Sequence, residues 1–117
     1  MNERGGKSWN AWMRARPDIL PRLADGTLRM AVMFGAESAA NEWRARWGHD
    51  LEMSGATYNV ARREFLWPNG GCVRQVIAHT KDTKEVRGAV WTNYEIDGSV
   101  HMENAVEWKR VMEMMKR

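Results

Sequence analysis

The segment Tyr58–Thr80, YNVARREFLWPNGGCVRQVIAHT, decides how this chain folds. Two runs rich in aromatic and β-branched residues flank Pro68-Asn69-Gly70-Gly71. Proline stops a strand, and Asn-Gly supplies residues that tolerate positive φ. The pattern predicts a strand over 58–67, a tight reversal, and a second strand over 72–80. Downstream, the polar KDTK at 81–84 reads as another connection, and Val86–Ile96 as the next strand. Its alternation puts Val86, Val90, Tyr94 and Ile96 on one side and Arg87, Ala89, Trp91, Asn93 and Glu95 on the other. Asp97-Gly98 reads as a turn into a short returning strand, Ser99–Met102.

The ends of the chain read as helical. Asn104 and Glu107 have the spacing of a capping box. After them Ala105, Trp108, Met112 and Met115 form an apolar stripe, with Val111 beside it, and Lys109, Glu113 and Arg117 lie on the wet side. Upstream, residues 36–48 predict a helix with Ala36, Ala40, Trp43 and Trp47 on one face and Gly48 as its stop. The run LRMAVMF, Leu28–Phe34, is short and apolar, and fits either strand or helix. Asp25-Gly26 marks a turn. A short helix from Ser8, carrying Trp9, Trp12 and Met13, is broken by Pro17. Met1–Lys7 is polar and glycine-bearing, and is expected to be disordered. The expectation is an α+β fold, one small domain over residues 8–117. Its antiparallel sheet of three to five strands has helices packed on one face.

Composition narrows the function classes. The 117 residues suit one domain. Hydrophobic residues are 44% and charged residues 28%, which reads as globular. A net charge of +3 permits an anionic partner without arguing for one. The single cysteine, Cys72, excludes an internal disulfide and any multi-cysteine metal site. No signal-peptide pattern and no long apolar run is visible, so the expected setting is cytoplasmic with no membrane partner. Seven Trp and nine Met are many for this length, and both types fill cores and adaptable binding surfaces.

Candidate sites follow from residue type. Arg62, Arg63 and Arg87 share the sheet region with Phe65, Trp67 and Trp91. A sheet face presenting both sets would hold single-stranded nucleic acid by stacking and phosphate contact, against the simpler reading of a solvated surface with Glu64, Asp82 and Glu85 interspersed. His49, His79 and His101 match no metal-ligand spacing. Cys72 and His79 lie seven residues apart on opposite strand parity, which argues for a structural thiol rather than a nucleophile. Asp97 reads as a turn residue and Glu107 as a cap, while Glu95 and Glu103 read as surface. Gly5-Gly6-Lys7-Ser8 has the last residues of a phosphate loop but no preceding strand. No cofactor is expected.

Two stretches carry family resemblances. Gly88–Trp108, GAVWTNYEIDGSVHMENAVEW, is similar to the front part of phage-type acetyltransferase-like domains, where a strand with aromatic and Asn residues leads into a short His-Met strand. Phe65–Gly88, FLWPNGGCVRQVIAHTKDTKEVRG, resembles a segment of large terminase ATPases, where an Asn-Gly turn precedes strands and an Arg-Gly. Both resemblances imply a phage or mobile-element origin. The expected function is a small non-enzymatic protein-binding or regulatory domain, as in a phage-encoded modulator of a host protein. The alternatives are a nucleic-acid binder using the basic, aromatic sheet face, and an acetyltransferase-like domain without activity. A homodimer is compatible with the apolar surplus.

Overall fold

The hairpin forms where PNGG places it. In the computed structural model, Gly70 N–H donates to Trp67 O and Trp67 N–H donates to Gly71 O, both at 2.9 Å. Gly70 holds φ +98°, which only glycine adopts without cost. The structure describes residues 19–80, 82–84, 86, 87 and 89–116. The tail at 1–7 and the helix expected from Ser8 lie outside the described residues. Among those described, the order is α1 (Ile19–Ala24), β1 (Arg29–Phe34), α2 (Glu37–Met53), β2 (Thr57–Asn59), β3 (Glu64–Leu66), β4 (Cys72–Ile77), β5 (Asn93–Ile96) and α3 (Met102–Met115).

The α+β class and a five-stranded sheet stand. The strand order is β2-β3-β4-β1-β5. The sheet is mixed rather than antiparallel throughout: β2-β3 and β3-β4 are antiparallel, while β1 runs parallel to both β4 and β5. Parallel neighbours require long crossovers. One runs from β1 through α2 and the β2-β3 hairpin to β4.

Helices cover both faces, not one. Met30, Val32 and Phe34 of β1 join the core under α1 and α2. Ala31 and Met33 join a second core with Trp108, Val111 and Met112 of α3. A strand buried on both faces needs continuous apolar sequence, which explains RMAVMF and resolves its ambiguity as strand.

Local departures have physical causes. The expected strand 58–67 is itself a hairpin, β2 and β3. Asn59 Oδ1 accepts from Arg62 N–H at 3.1 Å and Arg63 takes φ +53°, so 60–63 turn. Helix α2 passes through Gly48 to Met53. Gly48 is buried against Phe65, whose Cζ would lie 3.2 Å from an added Cβ. It is a packing glycine, not a cap. Among the described residues of 86–96, only Asn93–Ile96 is strand. Val86 and Trp91 instead fold into the second core, with Trp91 Nε1–H donating to Val86 O at 3.1 Å. Ser99–Met102 is no strand. His101 caps α3 in place of Asn104, its Nδ1 accepting from Glu103 N–H at 3.4 Å. No helix among the described residues is long and apolar enough to cross a membrane.

Candidate interaction surface

The structure separates the six residues expected to share a face. Phe65, Trp67 and Trp91 are buried at 0%, 2% and 1% exposure. Trp67 Nε1–H donates to Ser54 O at 3.3 Å. Phe65 and Trp67 belong to the core under α2, and Trp91 to the core under α3. Rings committed to packing offer no plane for a base to stack on. Arg62 is exposed and lies 3.7 Å from Glu64. Arg63 pairs with Glu37 at the start of α2. Arg87 donates from Nε to Thr83 Oγ1 at 3.0 Å, in the β4–β5 connection. Arg62 and Arg63 therefore meet, but on the turn between β2 and β3 and with acidic partners.

Beside them is a contact that spans the chain. The Arg44 guanidinium lies 3.9 Å over the Tyr58 ring. Tyr58 O–H donates to Gln75 Oε1 at 2.9 Å, and Gln75 Nε2 donates to Ala40 O at 2.8 Å. Burial raises the Tyr58 hydroxyl above its usual range, with the Arg44 charge opposing. Nothing local in sequence joins Arg44, Tyr58 and Gln75. Their geometry fastens α2 to the sheet.

The titratable groups do not converge. His49, His79 and His101 are exposed. Cys72 is buried, and burial pushes its thiol up to about 11, which leaves it protonated at neutral pH. Asp97 Oδ2 accepts from Ser99 N–H at 3.0 Å, as a turn residue does. No group of three or more His, Cys, Asp or Glu side chains is placed to hold a metal among the described residues.

The opposite edge of the sheet offers the clearest surface. Helix α3 buries Trp108, Val111 and Met112. On its outer side Met102, Val106 and Met114 are 79%, 66% and 71% exposed. They follow i, i+4, i+12 spacing, one row along the helix, with Arg110 in the vacant position. Arg110 is held there by Glu107 at 2.6 Å and approaches Met114 Sδ at 3.6 Å. Below the helix, β5 is the edge strand, with all four residues half-buried. Tyr94 O–H bonds the Glu113 carboxylate, and burial with that bond pushes Tyr94 up to about 12. Lys116 leaves α3 extended and bridges Trp91 in the parallel sense. The side chain of Asn93 has a buried Oδ1 without a hydrogen-bond donor. The outward row was visible in the sequence only as Met and Val scattered off the core stripe. Comparison with protein-family models, with curated proteins and with solved structures returned no match.

Proposed function

We propose that the chain works by binding a protein through the side formed by α3 and β5. The observation that carries this reading is the exposed apolar row Met102, Val106 and Met114. Burying one such side chain fully is worth about 1.5–3 kcal/mol, so three aligned ones favour a contact. The two phage-type resemblances support a mobile-element setting, in which the partner is a host factor. The test is affinity capture by the tagged chain and by a Val106→Asp variant, with and without nuclease. A stoichiometric protein that survives nuclease and is lost with Val106→Asp is expected. Capture that is indifferent to Val106 overturns the reading. Capture that disappears with nuclease moves the function to nucleic acid and to Arg62 and Arg63.

One observation favours a second reading, a nucleotide-binding sheet. Strands β4, β1 and β5 are parallel, so their C-terminal ends at Ile77, Phe34 and Ile96 lie at one end of the sheet, with Asp97 directly after β5. Open parallel sheets bind ligands at that end. The terminase resemblance of Phe65–Gly88 supports it. Binding of a fluorescent ADP analogue that weakens at least tenfold in Asp97→Asn is expected on this reading. No binding at millimolar analogue removes it.

A further inference from the structure

We draw no further inference here: the strongest candidate, the exposed apolar row Met102, Val106 and Met114 along the outer side of α3, belongs to the surface already described, and nothing in the structure shows what covers it.

Discussion

A thiol buried at the first position of a central strand has no water to stabilise its anion. Cys72 is fully buried in β4, and burial is the main cause of its rise from 9.0 to about 11. The nearby Arg29 charge opposes the shift, and Glu64 adds to it. The folded pKa is raised above the unfolded one, so the unfolded chain loses its proton first as pH rises. Stability is then full below pH 9 and falls between pH 9 and 11. The shift corresponds to about 2–3 kcal/mol at about 1.4 kcal/mol per unit. Urea titrations at pH 8, 9.5 and 11 measure this, with Cys72→Ala as the comparison. The loss is expected to be smaller by about that amount in the variant. An equal decline in both proteins would assign the alkaline weakness to other groups, of which Tyr94 is the first to consider. The thiol should also resist alkylating reagents at neutral pH until the chain unfolds.

At the scale of elements, the hairpin between β3 and β4 rests on one left-handed residue. Replacing Gly70 by Ala puts a Cβ at φ +98°, in open space but in a conformation that costs an L-residue about 1–2 kcal/mol. A fall of that size in unfolding free energy is expected. No change in the midpoint would show that the turn relaxes by another route. This hairpin was legible because its signal is local: PNGG names its own geometry. The helical stripe of α3 was legible for the same reason, down to Trp108 and Met112. The parallel pairing of β1 with β4 and β5 was not, because partners far apart in sequence leave no local mark. The alternation of Val86–Ile96 misled, since Val86 and Trp91 reach one core from a looped connection rather than from a strand. The site suffered most. Aromatic residues near arginines look the same in sequence whether their rings stack on a ligand or fill a core, and Phe65, Trp67 and Trp91 fill cores. The exposed row on α3 became visible only once the buried face of that helix was known.

At the scale of the whole molecule, the described residues form two cores that share one sheet. Phe65 and Trp67 anchor the side under α1 and α2, and Trp108 and Trp91 the side under α3. Strand β1 belongs to both, sending Met30, Val32 and Phe34 one way and Ala31 and Met33 the other. Removing β1 would expose apolar residues of both layers, so the two sides are expected to unfold together. Truncating a large buried aromatic costs about 3–5 kcal/mol, against a total stability of about 5–15 kcal/mol for a domain. Phe65→Ala and Trp108→Ala should therefore each lower the denaturation midpoint of the entire chain, although they sit on opposite faces. Tryptophan fluorescence and far-ultraviolet circular dichroism should still report one coincident transition in each variant. If Trp108→Ala instead splits the two probes, α3 is a separately melting layer. The α3–β5 side would then be the part of the fold that a partner completes rather than a finished surface that it finds.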